Sequence, residues 1–318
     1  MTRMMTVGAL IVTVFSRFAI AEVTDFKLFA SSTVTQSRSG IEEERQQQSK
    51  GFPASQQISP VQTEVELTGK DDLGTLQWSA LNRVVANDPQ FNDNLPTDFV
   101  FNSAAASADP EVSLALDALA RQTRTINVLQ AEFPAFPPGQ LLNLQSTFLL
   151  DGSLLAVVPT TAGSAQGLQM ELGLQISKNE DEVFSGKVTL TGQEDGSVAV
   201  QAPQGFHAND FVFSSFTVPD LATVYLLTFD DEPVLYDYLA RIDDTFDLAA
   251  EIWVDMTIPG GLAGGAAFGT VPAELILLTK DLFAQPPAAA KLAAPEPASF
   301  ILLLLAAPWV LRRTRRTH

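Results

Sequence analysis

The sequence predicts an all-β protein: an antiparallel β-sandwich or jelly roll with a single short helix. Three observations carry that expectation. In LQMELGLQIS, Leu168, Met170, Leu172, Leu174 and Ile176 fall on one side, while Gln169, Glu171, Gln175 and Ser177 fall on the other. In FDLAAEIWVDMTI the residues Phe246, Leu248, Ala250, Ile252, Val254, Met256 and Ile258 hold the same alternation over 13 positions. Successive side chains of a strand point to opposite faces, so this period of two marks strands with one buried face. Finally, the Asp-Gly pairs Asp151, Gly152 and Asp195, Gly196 each sit between apolar runs and signal hairpin turns. Many antiparallel strands with one apolar face need a second sheet, or closure into a barrel, to bury it.

In chain order, a first strand is expected at 23–35, interrupted by a polar stretch from about 31 to 60 that includes SRSGIEEERQQQSKG and reads as a long loop or flexible arm. Strands are expected at 63–68, 74–85, 125–132, 147–158, 187–191, 197–201, 211–218, 223–229 and 273–279. The helix is expected at 109–122, with Asp109 as cap, Pro110 at the first helical position and Val112, Leu116 and Leu119 on one face. Val112, Leu114 and Leu116 also fit a strand. The glycine-rich PGGLAGGAAFG at 259–269 lacks any basic residue and reads as a flexible connection or a place of close backbone packing.

Composition narrows the function classes. The chain has 318 residues, 46% hydrophobic and 18% charged, enough to bury a sizeable core. Its net charge is −18, and six of its 19 basic residues lie at the two ends. The acidic interior that remains should be repelled by nucleic acid and by anionic lipid, and favours cations, polar glycans or basic partners. With no cysteine, disulfides, thiolate metal sites and cysteine nucleophiles are excluded.

The ends differ from the middle. Arg3, an apolar run at 4–15, and the small residues Ala19 and Ala21 form the layout of a secretory signal peptide over 1–21, cut after Ala21. Export of this kind brings in the Sec translocon and signal peptidase. At the other end, 298–311 is a run of 14 residues without a charge, about 21 Å long as a helix and so short of the roughly 30 Å hydrocarbon core. Snorkelling arginines and local bilayer thinning make up part of that deficit, and the arginines that follow favour the cytoplasmic side. The expected organisation is therefore a signal peptide at 1–21, an N-terminal strand and polar arm at 22–60, a sandwich ectodomain at 61–286, a linker at 287–294 and a C-terminal tail at 295–318.

That tail carries a resemblance. Pro295, Glu296 and Pro297, the apolar segment after them, and the cluster Arg312, Arg313, Arg315 and Arg316 resemble the tripartite tail of PEP-CTERM sorting-signal proteins. The resemblance covers about two dozen of the 318 residues. The short apolar run and Pro308 within it depart from the pattern. The resemblance implies that a membrane-embedded exosortase recognises the tail, holds it transiently in the inner membrane and cuts near the triplet. The body would then pass to the cell surface or to an exopolysaccharide and biofilm matrix.

For the body itself, two constellations stand out. From Asp230 to Asp255 there are nine acidic residues and one basic residue, Arg241. Asp243, Asp244 and Asp247 lie close together and are the candidate calcium ligands, although the spacing matches no complete calcium loop and a solvated acidic face is the plainer reading. On the same strand, alternation sets Asp247, Glu251, Trp253 and Asp255 opposite the apolar row. A tryptophan flanked by carboxylates suits a sugar ring, so Glu251, Trp253 and Asp255 are candidate glycan contacts, with cover by a loop or by the polar arm as the alternative. The body's single histidine, His207, lies among turn residues and gives no support to a catalytic triad. The expectation is a non-enzymatic, structural or adhesive body without a required cofactor. A glycan-binding module is the alternative, and a glycan-active enzyme working through Glu251 or Glu171 ranks behind both.

Overall fold

A computed structural model of the chain describes residues 22–36, 41–51, 61–70, 72–86 and 99–268. The expected signal peptide, the strand at 273–279 and the sorting tail, including the apolar stretch 298–311, lie outside these residues. Fourteen strands are described: β1 (Glu22–Gln36), β2 (Ile41–Gly51), β3 (Val61–Lys70), β4 (Leu76–Ala86), β5 (Phe99–Ser107), β6 (Val112–Asn127), β7 (Leu141–Pro159), β8 (Gln169–Lys178), β9 (Asp181–Gly192), β10 (Val198–Val200), β11 (Val212–Val218), β12 (Ala222–Arg241), β13 (Thr245–Ile258) and β14 (Ala263–Phe268). The first sheet runs β10-β9-β8-β13-β6-β1-β2 and the second runs β11-β12-β7-β14-β5-β4-β3. Every pairing is antiparallel. The sheets share one apolar core, to which Leu116, Leu172, Leu174, Ile176 and Val254 contribute from the first, and Phe101, Leu154 and Phe229 from the second. This is the sandwich arrangement that the alternation predicts. Each of these aliphatic side chains contributes about 1.5–3 kcal/mol by leaving water.

Several local expectations are corrected. The segment at 109–122 is not a helix: from Val112 it belongs to β6, whose burial alternates strictly. Leu114, Ala118 and Ala120 extend the row started by Val112 and Leu116, and a row at every second residue fits a sheet against the core, not a helix. Among the described residues the one helical element is a single 3-10 turn at Gln130–Glu132, where the strand expected at 125–132 has already ended. The stretch expected as a loop or arm holds β2, which pairs along β1 in register from Phe26 with Gly51 to Gln36 with Ile41. Such a strand gains its place by backbone pairing, and its polar, charged sequence suits the last position of a sheet, where an apolar edge would invite further pairing.

The two Asp-Gly pairs part ways. Asp195 and Gly196 form the expected turn between β9 and β10, with Gly196 at φ 81° and the Asp195 carboxylate accepting bonds from the Ser197 amide at 2.9 Å and hydroxyl at 2.6 Å. Those two bonds hold the Asp195 carboxyl below its ordinary range. Asp151 and Gly152 are not a turn. They lie inside the 19-residue β7, where its pairing to β12 shifts register between Phe229 and Glu232. Gly152 is required there because a Cβ would come within 2.2 Å of the Phe268 ring and 2.5 Å of the Ala267 carbonyl. The glycine-rich segment supplies a central strand, β14, between β7 and β5, and so proves to be close backbone packing. At Gly264 a Cβ would lie 2.6 Å from Ile258 Cδ1, which explains a strand made of alanine and glycine.

Candidate functional site on the outer face of the first sheet

Strand β13 supplies the site. Its burial alternates so that Phe246, Leu248, Ile252, Val254 and Met256 enter the core, while Asp247, Glu251, Trp253 and Asp255 occupy the outer face, as the sequence predicts. Register then determines their neighbours. Asp255 lies directly opposite Asp117 of β6 on one side and Glu171 of β8 on the other. Three carboxylates therefore stand in line across three adjacent strands. The row continues to β9, where Thr189 donates to Glu171 Oε2 at 3.3 Å and the Lys187 ammonium meets the same oxygen at 2.8 Å.

The electrostatics follow from this crowding. Asp255 is pushed up to about 6, first by loss of solvent around its carboxyl, then by the charges of Asp117 and Glu171 and a hydrogen bond shared with Asp117. Lys187 opposes the shift from beyond Glu171. Two carboxyls that share a hydrogen bond are stable when one of them keeps its proton, which adds to the effect of burial on Asp255.

Two residues along each strand, Trp253 lies opposite Leu119 of β6 and Gly173 of β8. Its six-membered ring sits over Gly173 so closely that a Cβ there would be 1.9 Å from Cζ2 and 2.0 Å from Cε2. The absence of a side chain at Gly173 lets the indole lie against the backbone of the neighbouring strand. Trp253 is half-buried in this position. Glu251, the next outward residue, lies opposite Arg121 on β6 and Gln175 on β8. The result is an open strip with an aromatic plane in the middle, the carboxylate row on one side and a mixed-charge pair on the other.

Asp243, Asp244 and Asp247 are not brought together as a ligand set. Asp243 takes a left-handed φ of 70° in the turn from β12 to β13, and its amide donates to the Val128 carbonyl at 2.7 Å. The Asp244 carboxylate accepts from the Arg241 amide at 2.9 Å, and that of Asp247 accepts from the Thr125 hydroxyl at 2.7 Å. Among the described residues no three His, Asp or Glu side chains gather as a metal set. His207 is exposed, and its amide donates to Asp210 Oδ2 at 2.6 Å within a loop. The residues that sequence reasoning did not connect are Asp117 and Gly173, because their part in the site comes from pairing across strands.

No family model matches the chain, and no curated protein matches it by sequence. A solved structure of infectious bursal disease virus, Gt strain, aligns over 78% of this chain and 61% of that one at 13% identity, with a TM-score of 0.12. The chain thus spans about three fifths of that protein's length, and a likeness at this level carries no argument.

Proposed function

We propose that this is an exported, non-enzymatic surface or matrix protein that holds an extended polysaccharide on the outer face of its first sheet. The observation that supports the reading is Trp253 laid on Gly173 beside the row of Asp117, Asp255 and Glu171. An indole fixed in this way offers a flat apolar surface to the C–H face of a sugar ring, and the carboxylates accept hydrogen bonds from its hydroxyls. A small ligand favours a concave pocket, whereas an open strip on a sheet suits a chain that continues past both ends. In a glycosidase two carboxyls stand about 5–9.5 Å apart across the reacting bond. Here Asp117 and Asp255 bond to each other, which favours binding over cleavage.

The ends of the chain complete the proposal. The signal peptide at 1–21 delivers the body across the inner membrane, and the tail from Pro295 is recognised and cut by an exosortase. Proline disfavours helix, so Pro295 and Pro297 suit a triplet that a processing enzyme has to reach. Intact mass of the protein recovered from the native host's surface tests the sorting half: loss of both the residues before Glu22 and the arginine cluster is expected, and retention of the arginines would overturn it. Co-sedimentation with the host's own exopolysaccharide tests the binding half. The native body should pellet and Trp253→Ala should remain in solution, and equal recovery of both would remove Trp253 from the site.

A further inference from the structure

Register extends the outer face of the first sheet beyond β13. Trp253 lies opposite Leu119 of β6, and Leu119 lies opposite Phe29 of β1, so an aromatic, an aliphatic and a second aromatic side chain stand in line across adjacent strands. Each of them is half-buried on the outer face. Gly173 of β8 and then Lys187 of β9 continue the line on the other side of Trp253. Strands lie about 4.8 Å apart, which is close to the advance of one pyranose ring in an extended chain. The stripe therefore matches a polysaccharide laid across the strands, with one ring over each of Phe29, Leu119 and Trp253.

The two flanks of this stripe differ in charge. On one side is the row of Asp117, Asp255 and Glu171, where Asp117 and Asp255 share a hydrogen bond and Lys187 pairs with Glu171. The row on the other side is basic: Lys27 lies directly opposite Arg121, and the register continues to Lys50 of β2. Lys27 is two residues from Phe29 and Arg121 two from Leu119, about 7 Å along each strand. Like charges set opposite each other on neighbouring strands destabilise a sheet. Among the described residues Lys27 and Arg121 form no ion pair that would relieve this, although Glu251 lies opposite Arg121 on its far side.

We infer that the polysaccharide is an acidic one, a chain of uronic acid residues that crosses the strands and seats a carboxylate between Lys27 and Arg121. The inference rests on the reading that this face binds polysaccharide, and it adds the charge of the ligand and its direction. A pyranose linked through its first and fourth carbons carries its carboxyl on one edge and hydroxyls on the other. That pattern matches a stripe with cations along one side and hydrogen-bond acceptors along the other. The planar fork of Arg121 fits a carboxylate with paired N–H donors, and the Lys27 ammonium adds a point charge to the same group. The net charge of −18 opposes a polyanion at long range only. At physiological ionic strength fields decay over about 8 Å, so the cations nearest the ligand decide.

Affinity electrophoresis of the full-length chain in mild detergent, in gels carrying polygalacturonate, polyglucuronate or alginate, tests the inference. At least one of these polymers should retard the native chain, and the same polymer with its carboxyls reduced to hydroxymethyl groups should bind about tenfold more weakly. That comparison needs no variant and so does not depend on how a variant folds. Arg121→Gln and Lys27→Gln should each weaken binding to the acid polymer severalfold and leave binding to the reduced polymer unchanged, whereas Trp253→Ala should weaken both. Equal retardation by the acid and reduced forms overturns the acidic class and leaves the polysaccharide reading standing. Retardation by none of the acid polymers also overturns the inference, and co-sedimentation with the host's own exopolysaccharide then decides separately on the reading beneath it.

Discussion

Asn82 of β4 reaches across the sandwich to Asp117 of β6. Its side-chain nitrogen donates to the Asp117 carbonyl at 2.7 Å and to the Ser31 carbonyl at 2.8 Å, while its oxygen accepts from the Ser103 hydroxyl at 2.7 Å. Asn82 is fully buried, and one side chain thus joins β4 and β5 of the second sheet to β1 and β6 of the first. Asn82→Leu keeps the branched shape and removes all three bonds from a buried site. A loss of about 3 kcal/mol is expected in urea denaturation, and Ser103→Ala, which removes one bond, should cost about 1 kcal/mol. Equal small effects from the two variants would show that the cross-sheet bonds contribute little.

Gly173 should behave as part of the binding surface although it has no side chain. Gly173→Ala places a methyl group 1.9 Å from the Trp253 ring, so the indole has to swing off the strand. Polysaccharide retention should fall nearly as far as with Trp253→Ala, on the order of tenfold, which is about 1.4 kcal/mol. The emission of the variant should also shift as Trp253 changes its surroundings. Retention unchanged by Gly173→Ala would mean that the pose of the ring does not matter.

The carboxyl pair gives stability a pH dependence of definite sign. An unfolded aspartate releases its proton near pH 3.9, whereas Asp255 holds its proton to about 6 in the folded protein. Between these values the folded state binds more protons than the unfolded state, so this residue makes stability fall as pH rises. Asp255→Asn removes the effect. Its Tm relative to the native chain should be highest above pH 7 and should decline toward pH 4, as calorimetry at three pH values would show. A difference that stays flat over that range would mean that Asp255 titrates normally.

At the register shift of β7, Gly152→Ala should be poorly tolerated. The added methyl group meets the Ala267 carbonyl as well as the Phe268 ring, and a backbone atom cannot rotate away. A loss of about 2–3 kcal/mol is expected by urea denaturation. Gly163, which has a left-handed φ of 67° but open space around it, is the control: Gly163→Ala meets only the backbone cost of that conformation, about 1 kcal/mol.

The parts of this fold that were legible in the sequence are those with one wet face. β8 and β13 alternate because the core takes every second residue, so both their existence and their orientation could be read, and with them the outward placement of Trp253, Glu251 and Asp255. Strand β14, AGGAAF, is buried on both faces and has nothing to alternate. The second half of β12 and all of β5 escaped for related reasons, an interruption at the register shift in one and a run of alanines in the other. The pairing of Asp117 with Asp255 was not legible at all. Neither residue's local pattern specifies which strand lies beside it, and that information arises only when β6 and β13 meet.

The order in which strands fill the sheets has a consequence for how the body comes into being. β13 inserts between β8 and β6, and β14 between β7 and β5, so the last two of the described strands take central positions in the two sheets. A polypeptide emerging N-terminus first presents two separated halves of each sheet until residues 245–268 arrive to join them. Contacts this distant in sequence form slowly. The architecture can therefore close only once residues 245–268 have emerged, and a nascent molecule threaded through a narrow pore would remain pliable until then.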